Sequence, residues 1–349
     1  MTKNTTAFRK LMTRRMIKEL RPIEKADAIE LAVVDGWQVV VKKNEFSVGD
    51  EVLYCEVDSA LPEGNPQWQF LIDKSSRIYN GRKVHVLRSI KLRGALSQGL
   101  ILPIPDDLPN DVENLDEYFG IEKYEPPIPA QLQGEIKGNF PTQLFPKTDA
   151  ERIQNFENFD ELLQHEFEIT VKLDGSSLSA YQHDGKHGVC SRNLELKLDQ
   201  EGNTFVDTIK KIEFFETLKE FMPHCNLAFQ GELIGPGIQG NLEKLTEHKW
   251  FIFSIYDIDR HEYLTPFDRQ RLIESLNLRN SNIHHVPVVH ASASLYTLGL
   301  DSIDKVLHFA TGPSMNPNVL REGLVFKSCS DPDVQFKAIS NQYLLKRDK

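Results

Sequence analysis

Between residues 15 and 104 the chain keeps spelling a short apolar run and then a turn, and that rhythm restricts the fold more than any other feature. The runs fall at 29–34, 37–41, 51–57, 84–87 and 99–104. Between them stand Asp35-Gly36, Gly49-Asp50, Pro62-Glu63-Gly64 and Asn80-Gly81, residues that tolerate the backbone angles of tight turns. Only 66–71 offers a short helix. Five short strands in about 90 residues fit a small closed barrel.

The expected fold class is therefore α+β: an N-terminal all-β, OB-like barrel over 1–104, then an α+β domain with antiparallel sheets over 149–349. The intervening 105–148 carries Pro105, Pro109, Pro126, Pro127, Pro129, Pro141 and Pro146 and reads as a linker. Asp149-Ala150-Glu151-Arg152 is expected to open a short helix. Beyond it, strands are expected at 167–172, 177–181, 227–234, 250–257, 323–327 and 334–339, and helices at 203–221, 241–248, 266–276 and 301–310. Thr265-Pro266 supplies a cap with proline at the first helical position, where its missing N–H costs nothing.

Composition narrows the function classes. The 349 residues are 40% apolar and 26% charged with a net charge of −10, and the mean hydropathy is −0.39. No run approaches the ~18 apolar residues of a membrane span. Net acidity argues against indiscriminate nucleic-acid binding but leaves room for a local basic groove. Lys3, Arg9, Lys10, Arg14, Arg15 and Lys18 stand in an N-terminal stretch without acids. That pattern also suits a transit peptide, but Phe8, Leu11, Met12, Met16 and Ile17 favour the lead-in to a folded domain. Cys55, Cys190, Cys225 and Cys329 are scattered without metal-ligand spacing and read as reduced and intracellular, with the cytoplasm as default compartment. His284-His285 reads as polar surface.

One lysine is placed for chemistry. Lys172 closes the alternating run Phe167 to Val171 and precedes an Asp174-Gly175 turn. A free lysine titrates near ~10.4, and burial or nearby cations expose its lone pair. Gly175 removes a side chain where a ligand approaches the backbone. Alone, the segment better fits a solubilising lysine beside a hairpin turn. Later segments add to it. Glu232 lies inside the apolar run Phe229 to Ile234, where a carboxylate needs a partner. Trp250 to Asp257 is aromatic, and one of its rings suits stacking on a purine. Glu322 and Lys327 stand five apart around Gly323, and Lys337 ends a further run.

In order and residue type this set resembles the covalent nucleotidyltransferase superfamily of polynucleotide ligases and capping enzymes, from about 144 to the C-terminus. Lys172-Leu173-Asp174-Gly175 is similar to nucleotidyl-lysine motif I, Ser191-Arg192-Asn193 to motif Ia, Gly231-Glu232 to motif III and 251–257 to motif IIIa. Glu322-Gly323-Leu324-Val325-Phe326-Lys327 is similar to motif IV and Phe336-Lys337 to motif V, where Ile339 stands in place of a frequent second lysine. Only 12 residues follow Lys337 (349 − 337), and the OB-like unit comes first. That order resembles the fifth RNA-ligase family, as do Gly49-Asp50-Glu51-Val52 and 98–103.

The resemblance implies an ATP-dependent RNA ligase acting on 3′-OH and 5′-phosphate ends, at nicks with RNA on the 3′-OH side, as a monomer that touches no membrane. Lys172 would carry AMP, Glu232 would hold the ribose, and Lys172, Glu232, Phe253, Tyr256, Lys327 and Lys337 would contact the nucleotide. Glu322 and Asp174 would hold Mg²⁺ or Mn²⁺, and Arg192 a phosphate. Arg82, Lys83, Arg88, Lys91 and Arg93 would track RNA on the barrel. Two rivals stand beside it. Gly235-Pro236-Gly237-Ile238-Gln239-Gly240 spells the dinucleotide-binding fingerprint of an NAD-dependent oxidoreductase, although Pro236 lacks the N–H a phosphate loop uses. The other rival is a catalytically silent nucleic-acid-binding protein.

Overall fold

Asp35 and Gly36 both sit at positive φ, 47° and 83°. They join Ile29–Val34 to Trp37–Lys42 as an antiparallel hairpin in register from Ile29↔Lys42 to Val34↔Trp37. Asn80-Gly81 repeats the geometry, at 47° and 75°, between Ser76–Tyr79 and Arg82–Val86. A two-residue turn with both angles positive matches the right-handed twist of the strands it joins. The computed structural model describes residues 10–71, 76–125, 135–156, 158–199 and 201–347. Its chain forms two compact units, 1–127 with 344–349, and 128–343.

In the first unit every pairing among the described residues is antiparallel. Glu51–Cys55 lies between Met12–Met16 and Leu100–Pro103. Glu19–Pro22 extends the 29–42 hairpin, and Ser59–Pro62 pairs with Arg82–Val86 and Glu122–Lys123. Trp37, Val39 and Val41 point inward at every second position to meet Ala32, Tyr54 and Ile101, the period of a half-buried strand. The 66–71 helix shrinks to a 3₁₀ turn, Pro66–Trp68, capped by Asn65. From residue 10 the basic N-terminal stretch belongs to this unit, with Leu11, Met12 and Ile17 buried; Lys3, Phe8 and Arg9 lie outside the described residues.

The 105–148 stretch, expected as a linker, is largely built in. Leu108, Leu115 and Ile121 pack with Leu11, Leu53 and Leu102. Leu115–Phe119 is a helix stopped by Gly120 at φ 67°, and Ile136–Asn139 pairs with Leu194–Leu196 of the second unit. Prolines suggested an extended connection, but widely spaced leucines give this segment an apolar side to bury. Pro126, Pro127 and Pro129 lie outside the described residues.

The second unit is built on two sheets. The larger runs Ile136–Asn139, Leu194–Leu196, Lys186–Cys190, Ser176–His183, Leu227–Ile234, Lys249–Asp257, Glu262–Tyr263, with His284–His285 parallel to Lys249–Asp257. The smaller runs Glu151–Arg152, Gln335–Ile339, Gly323–Ser328, Glu166–Lys172, Val288–Ser294. Its register aligns Lys172 with Gly323 and Ile339, Thr170 with Val325 and Lys337, and Glu168 with Lys327. Alternation then divides the faces. Phe167, Ile169, Phe326 and Phe336 share a core that includes Val306 and Leu307 of the helix Ile303–Phe309, while the lysines share the opposite face.

Three helical expectations change. The 203–221 helix is two helices, Thr204–Lys211 and Phe214–Phe221, broken where Glu213 adopts φ 51°. No helix forms at 241–248, because Asn241 and Lys244 both take positive φ and Asn241 bonds Leu245 through its side chain. Residues 149–152 lead into a strand, because Glu151–Arg152 pairs parallel with Phe336 and Lys337. The fingerprint at 235–240 consequently has no helix behind it, and the chain returns as an antiparallel strand. That removes the phosphate-binding geometry an oxidoreductase needs.

Candidate active site

Lys172 is the last residue of the Glu166–Lys172 strand in the smaller sheet, and Ser176 begins the Ser176–His183 strand in the larger. Leu173-Asp174-Gly175 is therefore the crossing between sheets. Gly175 is required there, since a Cβ on it would meet the Leu233 carbonyl at 2.4 Å and Glu232 Cγ at 3.0 Å. The close approach expected of a ligand is made by the protein's own strand. It lets the Gly175 N–H donate to Glu232 Oε1 at 3.0 Å.

Carboxylates gather at this crossing. Lys172 Nζ lies 2.6 Å from Glu322 Oε2. Burial works against the charge of Lys172, but Glu322, Glu232 and Asp174 outweigh it and hold the amine above its ordinary value. In this arrangement the amine is a cation. Burial pushes the Glu232 carboxyl up to about 7, opposed by Lys172 and the Gly175 N–H and reinforced by Glu322 and Asp174. Asp174 accepts a hydrogen bond from the Tyr343 hydroxyl. Four residues of the expected set, Lys172, Asp174, Glu232 and Glu322, thus meet at one place.

Lys327 does not converge with Glu322. Gly323 opens a strand rather than a turn, so Lys327 lies level with Glu168, four residues from the Lys172 row. Its amine donates to the Phe253 carbonyl at 2.5 Å and to the Ser254 hydroxyl, and lies 5.3 Å from the centre of the Phe253 ring. Burial, then Arg269, push its pKa well down against the pull of Glu168. Phe253 is half-buried beside Val171, Leu173 and Phe251. Tyr256 packs with Phe140, Phe145 and Tyr181, 5.0 Å from the ring of Tyr263. Lys337 lies near enough to Lys172 to feel its charge, and its Nζ bonds Asp149 at 2.9 Å. Arg192 stands further out, 3.8 Å from the other Asp149 oxygen.

Several members escaped the sequence. His285 is not surface: its Nδ1 donates to the Val286 carbonyl at 2.6 Å, and its Nε2 accepts from Arg269 Nε at 3.1 Å. Burial and then Arg269 take its pKa down to about 4. Arg269 also donates to Glu168, and both are nearly inaccessible. Glu168 carries the same signal as Glu232, an acid in an apolar strand, and alternation sets it on the face opposite Phe167 and Ile169. Asp149 and Tyr343 had no signal in the sequence.

Among the described residues no three His, Cys, Asp or Glu side chains cluster to hold a metal ion. The donor chemistry fits Mg²⁺ or Mn²⁺ nonetheless, since such ions take one or two carboxylates and leave other positions to phosphate and water. All four cysteines are free, with Cys55 and Cys190 buried. No described helix is long and apolar enough to cross a membrane.

Comparison with known proteins identifies the family. An OB-fold domain model matches residues 11–104, and an RNA ligase model matches 165–340. Solved structures of Naegleria gruberi RNA ligase align over nearly the whole chain. A mutant with ATP and Mn is 44% identical, covering 97% of this chain and 100% of that one with a TM-score of 0.83. A mutant with AMP and Mn is 45% identical, covering 98% and 100%, also at 0.83. The form with PPi is 45% identical, covering 97% and 98%, at 0.82. The comparison with curated proteins gave no match.

Proposed function

This chain belongs to the RNA ligase family, and from that premise we infer an ATP-dependent ligase that joins RNA 3′-OH and 5′-phosphate ends through AMP carried on Lys172. The observation that carries the reading is the cluster at the sheet crossing: Lys172 Nζ at 2.6 Å from Glu322, with Glu232 and Asp174 around it. It supplies one nucleophile and the carboxylates that a metal-bound triphosphate would engage.

Lys172 attacks the α-phosphorus of ATP, pyrophosphate leaves, and a phosphoramidate joins lysine to AMP. AMP passes to the RNA 5′-phosphate, and the 3′-OH then displaces it. All three are phosphoryl transfers, governed by position and charge neutralisation. Before the first, the Lys172 amine must give up the proton its carboxylates stabilise. Glu322 and Asp174 are assigned to the metal, Mg²⁺ or Mn²⁺, which when bound neutralises phosphate charge. Engaging Glu322 elsewhere removes the strongest support for the lysine's charge, and Lys337 beside it further favours the neutral amine. Glu232 is assigned to the ribose, Phe253 to adenine ahead of Tyr256, and Lys337 and Arg192 to phosphate.

We assign RNA tracking to the barrel. Arg82 and Lys83 are ion-paired to Glu122 and Glu63. Arg88, Lys91 and Arg93 flank or occupy the Ser89–Leu92 strand, are exposed, and make no ion pair among the described residues, which favours them for phosphate contact. A nick with RNA on its 3′-OH side and a monomeric enzyme complete the proposal. The test is incubation with α-labelled ATP and Mg²⁺. Acid-labile AMP is expected on the wild type and none on Lys172→Ala; AMP retained by that variant would remove the mechanism. A silent binding protein would label in neither form.

A further inference from the structure

Asp149 holds the two outer cations of the site at once. One carboxylate oxygen is 2.9 Å from Nζ of Lys337, and the other is 3.8 Å from Nη2 of Arg192. Lys337 belongs to the smaller sheet, on Gln335–Ile339. Arg192 lies in the turn between Lys186–Cys190 and Leu194–Leu196 of the larger. Asp149 lies two residues before Glu151–Arg152, whose register Arg152↔Lys337 anchors that end of the chain to the lysine's strand. One anion therefore ties a cation from each sheet, as two oxygens of one phosphate would.

We propose that Asp149 is a positioning residue, a resident stand-in anion that keeps Lys337 and Arg192 arranged to receive phosphate and yields them when nucleotide or RNA 5′-phosphate arrives. The proposal rests on the ligase reading given above. Its physical basis is the surroundings of Lys337, whose side chain is only 17% exposed. Burial, Arg152 and Lys172 all disfavour its charge, and Asp149 opposes them. Asp149 supports the charge that this burial opposes, and an arriving phosphate would take over that support. A carboxylate that stayed beside an arriving phosphate would instead repel it. Asp149 thus preserves the arrangement at the expense of anion affinity.

Asp149→Asn keeps the shape and removes the charge. Its KM for ATP in self-adenylation should fall about threefold to fivefold, the size of a partly exposed ion pair, without a rise in kcat. Inorganic pyrophosphate should bind more tightly by a similar factor. Asp149→Glu, which restores the carboxylate, should return both values toward wild type. Unchanged or weakened binding of both ATP and pyrophosphate in folded Asp149→Asn protein would overturn the proposal. Should that variant not fold, Asp149→Ser carries the same test. If the wild type forms no covalent AMP, the ligase reading fails by itself, and equilibrium titration of pyrophosphate onto wild type and variant still decides the role of Asp149.

Discussion

Lys172 and Lys327 stand on one face of one sheet, four residues apart in register, yet their surroundings drive their amines in opposite directions. Lys172 is met by Glu322, Glu232 and Asp174 and keeps its proton. Lys327 is buried beside the Arg269 cation, finds the neutral acceptors Phe253 and Ser254, and is pushed toward the uncharged form. A lysine ringed by carboxylates responds to whatever engages them, because its charge depends on theirs. Lys327, held by a carbonyl and a hydroxyl oxygen, ties Gly323–Ser328 to Lys249–Asp257. The residue type is the same; the neighbours assign the task.

The largest break in this comparison is Lys172→Arg. It keeps a cation beside Glu322 but supplies no lone pair, since a guanidinium does not deprotonate in proteins. Covalent AMP should fall by at least about a thousandfold while the melting temperature stays close to wild type. Substantial labelling of the arginine protein would mean that the charge at this position, not the nucleophile, is what the reaction uses.

The other end breaks through stability. Arg269→Met strands the Glu168 carboxylate in the interior, and losing one partner of a buried pair costs about 3–5 kcal/mol. Glu168→Met together with Arg269→Met should recover most of that loss, because well-packed apolar replacements of a buried pair are often neutral. Denaturant unfolding of the two variants measures both. A double variant as unstable as the single one would show that the network does more than balance its own charges.

How far the sequence reached follows the same line. Lys172, Glu232 and Glu322 were legible because each carries a polar group at or beside an apolar strand, in a fixed chain order. The barrel hairpins were legible because Asp35-Gly36 and Asn80-Gly81 permit few other backbones. The Glu168–Arg269–His285 network was not, because its acid and base lie 101 residues apart in the chain and only folding brings them together. The same holds for Asp149 with Lys337, 188 apart. The 105–148 segment was misread because a few spaced leucines can join a core without any regular period.

The two ends should also differ in their response to pH. Glu232 titrates near 4.5 when unfolded and about 7 in the fold, so the fold favours its protonated form. The stability it contributes is complete below about 4.5 and is lost as pH rises through 7. His285 runs the other way: its pKa falls from 6.5 to about 4 on folding, so its contribution is complete above 6.5 and fades as pH drops through 4. Relative to Glu232→Gln, the wild type should lose about 1–3 kcal/mol between pH 5 and pH 8. Parallel slopes of melting temperature against pH for the two proteins would rule this out.

The smallest effect sharpens the Lys172 end. Tyr343 is buried, and its hydroxyl donates to Asp174. Tyr343→Phe keeps the ring and removes that donor, so it should cost about 1–2 kcal/mol, within the range for hydrogen bonds to charged and neutral groups. It should also slow self-adenylation severalfold through kcat, because Asp174 helps set the charge on Lys172 and the hydroxyl helps hold Asp174. A change in KM for ATP with kcat intact would instead show that the hydroxyl serves the metal-holding role of Asp174 and not the charge on Lys172.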